Sequence, residues 1–209
     1  MSILAAQDVT IAQLRDAFGL RHSQDPSFFP EWSQPSVSLS DLEEQVLDRI
    51  KANFTSLMDA PSVLENTVKM VVLAPILDLL GFYQPPFSLR TEPSVAISTE
   101  DEGMIIRGRI DILVLKNRLW LTVIESKRSD FSVTRALPQT LAYLLANPEP
   151  TQPSFGLITN GNKFLFLKAT RQPAQYTNSR LFSLLNPNNE LRQVLNILKD
   201  LRHIIEPTA

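Results

Sequence analysis

The sequence predicts an α/β domain: a mixed central sheet flanked by helices, with an N-terminal helical arm over 1–40 and the domain proper over 41–209. Three observations predict it. Leu42, Val46, Leu47, Ile50 and Phe54 recur at helical spacing, as do Leu191, Val194, Leu195, Leu198, Leu201 and Ile205 near the end of the chain. Between these helices lie short apolar runs with strand texture, set off by polar or proline-containing breaks. Asn160-Gly161 stands between two such runs, and that dipeptide is the strongest short hairpin signal. Helices at both ends and strands in the middle are the pattern of a layered α/β fold.

Taken in order, residues near 10–18 form a short helix with Thr10 as its N-cap. The stretch 21–40 is rich in proline and serine and holds no long regular element. Phe28, Phe29 and Trp32 within it predict an arm packed on something, because free linkers are poor in aromatics. Ser40 and Glu43 make a capping box for the next helix. A further helix runs from Ser62 to Leu80, is disturbed at Pro75 and stops at Gly81. Strands are expected over Ser94–Ser98, Met104–Leu115 and Leu119–Lys127, then a helix from about Val133 to Ala146 with Pro138 near its first turn. "SFGLIT" and "KFLFLKA" form a hairpin, 171–187 is weakly patterned with an edge strand near Leu181–Leu184, and the last helix spans about 189–205. After the arm the order reads α, α, β, β, β, α, β, β, α.

Composition narrows the classes. Hydrophobic residues make up 44% of the chain, enough for a sizeable core. Twenty basic against 22 acidic residues leave a formal charge of −2, so no global field draws the protein to nucleic acid or to an anionic membrane. There are no cysteines, which excludes disulfides and thiolate metal sites. The N-terminus has no basic leader and meets Asp8 early, and "MVVLAPILDLLGF" is too short to span a bilayer. The expectation is a cytoplasmic protein with no membrane contact.

"RGRIDILVLKNRLWLTVIESKRSD" concentrates the chemistry. Residues two apart on a strand share a face, which puts Leu119, Leu121, Val123, Glu125 and Lys127 on one side of the third strand and Trp120, Thr122 and Ile124 on the other. Asp111 shares a face with Arg109 and Leu113 on the strand before. If the two strands pair, Asp111 and Glu125 meet at one mouth of the sheet with Lys127 beside them. Two carboxylates that close need a cation, and hard oxygen donors favour Mg²⁺. A neighbouring lysine can orient or deprotonate a metal-bound water, or stabilise charge on a phosphate. The competing reading is a strand-edge Asp and a solvated Glu/Lys pair. Residues 105–135 carry seven basic residues against three acidic ones, a local +4 that a phosphate backbone would meet. The chain has no helix-turn-helix, zinc-finger or Gly-rich phosphate-loop pattern. His22 and His203 are isolated in sequence.

"GRIDILVL", "LTVIESK", "QTLAY" and "FGLITNGNKFLFL", in this order, resemble the PD-(D/E)XK nuclease superfamily, and most closely the N-terminal nuclease domain of type I restriction enzyme R subunits. The resemblance runs from about Ser62 to Lys168 and implies a restriction-endonuclease-like fold. It implies a Mg²⁺-dependent nuclease, with Mn²⁺ as a substitute, that hydrolyses DNA phosphodiester bonds but carries no helicase. Asp111 and Glu125 would be metal ligands, joined by Glu65 from the helix before the sheet. Lys127 would be the catalytic lysine, and Gln139 with Tyr143 would match the Q-x-x-x-Y element. Glu65 reads equally as the far end of a Ser62-x-x-Glu65 capping box, and Arg135, Gln139 and Tyr143 equally as a polar helix stripe. Arg109, Arg128, Arg135 and Tyr143 are the candidate nucleic-acid contacts. DNA is the expected partner, with a protein partner supplying specificity, and a homodimer is left open. The alternative is a non-catalytic nucleic-acid-binding or assembly module of the same fold.

Overall fold

The structure, a computed structural model, describes residues 2–33, 38–59, 62–98, 104–116 and 119–204. Local capping chemistry sets its first helices. The Thr10 hydroxyl accepts from the Gln13 N–H and the Gln13 side chain accepts from the Thr10 N–H, opening α1 (Ile11–Phe18), which Gly19 ends at φ 68°. Ser40 and Glu43 make the same reciprocal pair at the head of α2 (Asp41–Leu57). Leu47, Ile50 and Phe54 of α2 are buried as the spacing predicts, while Leu42 stays outside the stripe and is exposed.

The next helix departs from expectation at both its start and its middle. It begins at Glu65 with Leu64 as N-cap, and the Ser62 hydroxyl donates instead to Asp130 Oδ1 at 3.1 Å. The Ser62-x-x-Glu65 capping box therefore does not form, and Glu65 is free to face elsewhere. After α3 (Glu65–Val68) comes a π-helical turn, Lys69–Leu73, where the Ala74 N–H reaches back five residues to Lys69 O. Pro75 then falls in the first turn of α4 (Ala74–Leu79), where its missing N–H is tolerated. The wider π-helical turn directly precedes the proline. Gly81, at φ 66°, closes the segment.

Two sheets form. The larger has the order β2 (Arg21–His22), β10 (Ala174–Asn178), β9 (Lys163–Arg171), β8 (Ser154–Thr159), β7 (Leu119–Ser126), β6 (Ile112–Lys116) and β3 (Phe87–Thr91), with β11 (Phe182–Ser183) also on β9. Only β7–β8 and β10–β2 are parallel, so the sheet is mixed as predicted. The smaller sheet orders β1 (Ser2–Ala5), β5 (Met104–Arg109) and β4 (Ser94–Ser98). The strands β1, β2, β3 and β10 carry no strong sequence signal and were not expected. β11 falls where the edge strand was.

The single strand expected over Met104–Leu115 is two strands in two sheets, broken at Ile110-Asp111. The neighbouring connection breaks with it: Ile110 N–H donates to Pro93 O at 3.1 Å and Glu92 N–H to Asp111 O at 3.1 Å, so β3–β4 and β5–β6 bend together as one hairpin. A second correction concerns β7. Its register against β6 shifts between Val114 and Leu115, and Trp120 and Ile124 pack into different cores instead of sharing a face.

Those two cores lie on opposite faces of the large sheet. One joins α2, α3, α4 and α6 (Leu191–Ile204) to Phe155, Leu157, Phe164 and Phe166. The other joins α1, α5 (Leu137–Leu145) and the small sheet to Ile158, Leu165 and Leu167. Phe29 of the N-terminal segment is buried in the first core, with its ring 6.0 Å from that of Phe155. Trp32 packs against the same core, and Phe28 lies beside the Lys168–Glu31 ion pair. The last helix follows its predicted stripe, with Leu191, Val194, Leu195, Leu198 and Leu201 buried, and Ile205 lies outside the described residues.

Candidate active site

Asp111 sits at the bend where the hairpin passes from one sheet to the other. β6 and β7 pair with Ile112 opposite Ile124, and this register carries Asp111 to the C-terminal end of β7. There the Ser126 N–H donates to Asp111 Oδ2 at 2.8 Å. Glu125 and Lys127 occupy the same strand end, with the Lys127 N–H held by Thr159 O at 2.8 Å. The loop that follows is tied to the segment before α3, since Val63 N–H donates to the Ser129 hydroxyl and Ser129 N–H to Val63 O. This clasp sets Glu65 at the edge of the same opening. Asn160, at the hairpin turn, holds that loop from the other side by donating to Ser129 O and Phe131 O.

The result is a cavity of about 280 Å³ whose walls include Glu65, Asp111, Glu125, Lys127, Gln139 and Tyr143. These sequence-predicted residues, spread over 78 positions from Glu65 to Tyr143, thus meet in one opening. Lys127 Nζ donates to Glu125 Oε1 at 2.6 Å, and Gln139 Nε2 donates to the same oxygen at 2.8 Å. Gln139 Nε2 also donates to the Tyr143 hydroxyl at 2.9 Å, and that hydroxyl donates to Arg109 O at 3.0 Å. The Q-x-x-x-Y pair is therefore a brace, running from the backbone of β5 through α5 to Glu125. Gly108 makes the brace fit, because a Cβ there would stand 2.7 Å from the Tyr143 hydroxyl and 2.7 Å from Ala6 Cβ.

The electrostatics centre on Glu125, which is 2% exposed. Burial, then the charge of Asp111, push its carboxyl up to about 7 against the opposing pull of Lys127, and Glu65 adds to the rise. Its second oxygen, Oε2, is buried with no hydrogen-bond partner among the described residues. A buried carboxylate oxygen without a donor is costly, and a hard cation is the kind of partner that would satisfy it. Among the described residues no three His, Cys, Asp or Glu side chains form a ready-made metal cluster. Burial and the charge of Glu125 also push the Tyr143 hydroxyl up, so it stays a neutral donor.

The remaining candidates separate. Arg109 lines the cavity and pairs with Glu92 at 3.3 Å, both well exposed. Arg107, exposed, lines it as well. Tyr143 is 2% exposed and faces the cavity through its hydroxyl rather than the protein surface. Arg128 and Arg135 are exposed and do not line the cavity. Lys116 leaves the basic patch altogether: it is buried, with its ammonium donating to Arg202 O at 3.1 Å. Arg118 lies outside the described residues. His22 packs edge-on against Tyr176, away from the site.

One residue the sequence reading missed belongs here. Lys69 donates to Glu65 Oε1 at 2.8 Å and to Asp111 Oδ1 at 3.0 Å. Burial alone would lower its basicity, but the two carboxylates outweigh it and hold the ammonium above its ordinary range. The signal that would have found it is its position four residues after Glu65, where helical side chains meet.

A family model described as type I restriction enzyme R protein N terminus matches residues 6–175 of this chain. Among solved structures, the chain is similar to a fragment assigned as an HsdR subunit of a type I restriction enzyme from Vibrio vulnificus YJ016, at 17% sequence identity and a TM-score of 0.39. The match covers 66% of this chain and 26% of that one, so the chain corresponds to about a quarter of that fragment. No curated protein matches it. With its family model spanning most of its length, the chain belongs to the type I restriction enzyme R protein N-terminal family.

Proposed function

We propose that this chain is a Mg²⁺-dependent nuclease domain that hydrolyses phosphodiester bonds in DNA, with sequence specificity supplied by a protein partner. One observation carries the reading: Glu125 keeps a buried, unpartnered carboxylate oxygen in a cavity it shares with Asp111 and Lys127. Asp111 and Glu125 would hold the ion, and Glu65 would join them only on release from Lys69. When bound, Mg²⁺ supplies an activated water and charge stabilisation at the scissile phosphate. Lys127, anchored on Glu125, is in place to donate to a phosphate oxygen or to orient the attacking water. Gln139 also donates to Glu125 Oε1 and so holds the carboxylate in place, leaving Oε2 without a donor. Arg107 and Arg109 line the cavity and give an incoming phosphate backbone favourable charge.

The test is cleavage of plasmid and single-stranded DNA with Mg²⁺ or Mn²⁺, alone and with candidate partner subunits, alongside calorimetric metal titration. Glu125→Ala should abolish ion binding and cleavage together. Lys127→Ala should slow cleavage by about 10²-fold or more with ion affinity largely kept, because the lysine acts in the transition state and is not a ligand. A second reading, a non-catalytic DNA-binding or assembly module, is favoured by the lack of a three-residue metal cluster among the described residues. Wild-type protein that binds DNA but never cuts it under any of these conditions selects that second reading.

A further inference from the structure

Lys69 belongs to no motif, yet it holds the acidic side of the cavity together. It begins the π-helical turn, one turn after Glu65, with its side chain 21% exposed. Its ammonium lies 2.8 Å from Glu65 Oε1 and 3.0 Å from Asp111 Oδ1. The other Asp111 oxygen accepts from the Ser126 N–H. Across the cavity, Glu125 gives Oε1 to Lys127 and Gln139 and leaves Oε2 bare. Three carboxylates thus face one opening, and the protein has already supplied a cation to the Glu65–Asp111 pair but none to Glu125 Oε2.

We propose that Lys69 is a built-in counter-ion: it neutralises Glu65 and Asp111 in the metal-free protein, competes with a divalent cation for Asp111, and confines the centre to one ion on Asp111 and Glu125. The inference rests on the metal-dependent reading of the centre. A second ion would have to enter between Glu65 and Asp111, where an ammonium of like charge already sits within hydrogen-bond distance of both. Without Lys69 the same pair repels and leaves a second place for a hard cation.

Calorimetric titration with MnCl₂ alone, paired with melting curves in chelator, tests the proposal on the full chain. Wild type should bind one Mn²⁺. Lys69→Gln should bind Mn²⁺ about tenfold or more tightly, or bind a second ion, since a unit charge has left the ion's immediate surroundings. Its metal-free melting temperature should fall by roughly 2–4 °C or more and recover with Mn²⁺. Binding by Lys69→Gln where wild type binds none also supports the proposal, because the lysine then fills the place outright. Should Lys69→Gln fail to fold, Lys69→Arg decides: it keeps the charge and must bind Mn²⁺ no more tightly than wild type, and tighter binding overturns the proposal. If wild type binds Mn²⁺, Glu125→Ala does not, and Lys69→Gln matches wild type or is weaker, the counter-ion role falls while the metal reading stands. If neither wild type nor Lys69→Gln binds Mn²⁺, both fall.

Discussion

Glu125 concentrates the chemistry in a single side chain. Its carboxyl is raised to about 7 because the protein buries it beside two other acids and gives it one lysine. A carboxyl whose folded pKa lies above its unfolded value binds its proton more tightly in the folded state. Stability of the metal-free protein should therefore fall as pH rises from about 4.5 to about 7, and level off above that window. Glu125→Gln, which cannot ionise, should flatten this slope in denaturant titrations across pH 4–8. Cation binding requires the same proton to leave, so Mn²⁺ affinity of the wild type should drop about tenfold for each pH unit below 7. A slope that survives in Glu125→Gln would assign the titration to another group. Part of this residue-scale picture was legible. Asp111, Glu125 and Lys127 were visible as charges inside apolar runs, and Gln139 and Tyr143 as a helix pair one turn apart. Lys69 was not, because an i, i+4 pair of a glutamate and a lysine is everywhere on protein surfaces, and only its third contact, to Asp111 42 residues away, makes it part of the site.

The N-terminal segment shows how elements differ from their local signals. Three aromatics near prolines predict packing, and Phe29 is buried against Phe155 on the face of the large sheet. The Lys168–Glu31 pair, at 2.7 Å, ties the same segment to β9. Yet the segment also contributes β1 to one sheet and β2 to the other, pairings of four and two residues that no local pattern announces. Phe29→Ala should cost about 3 kcal/mol in chemical denaturation, as for other large buried aromatics. Removing residues 1–38 deletes β1, α1 and β2 as well, and should lower the melting temperature far more than Phe29→Ala does. A truncated chain that melts with the wild type would mean these contacts contribute little. The site feels this segment too, since Ala6 packs against Gly108 and lies beside the Tyr143 brace.

For the molecule as a whole, a net charge of −2 means that the proposed approach to DNA would rest on local rather than global charge. Arg107 and Arg109 line the cavity, while Lys116 is buried far from it. DNA affinity should fall with salt, and Arg107→Ala or Arg109→Ala should each reduce the slope of log K against log salt by about 0.9, the value for one phosphate contact on duplex DNA. Arg171→Ala, at the far end of β9, should leave the slope unchanged. Equal slopes for all three variants would place the DNA path elsewhere on the surface. No helix among the described residues is long and apolar enough to cross a membrane.

The sequence by itself determined the class of each layer. Helical period, two capping motifs, the stop at Gly81 and the Asn160-Gly161 turn are signals carried within one or two turns of chain, so they survive without knowledge of what lies across the sheet. The resemblance it showed over 62–168 also falls inside the family match over 6–175. Tertiary structure decided the rest. Whether Met104–Leu115 runs straight or bends at Asp111 depends on Glu92 and Pro93 bending beside it, and the faces of β7 depend on a register shift against β6. Strand parity counts residues along one chain, and it fails wherever a partner strand forces an extra residue or a change of sheet. The bend is also what brings Asp111 and Glu125 to one cavity and sets Asp111 against Lys69, because it turns the strand end toward α3 at the point where β7 delivers its charges.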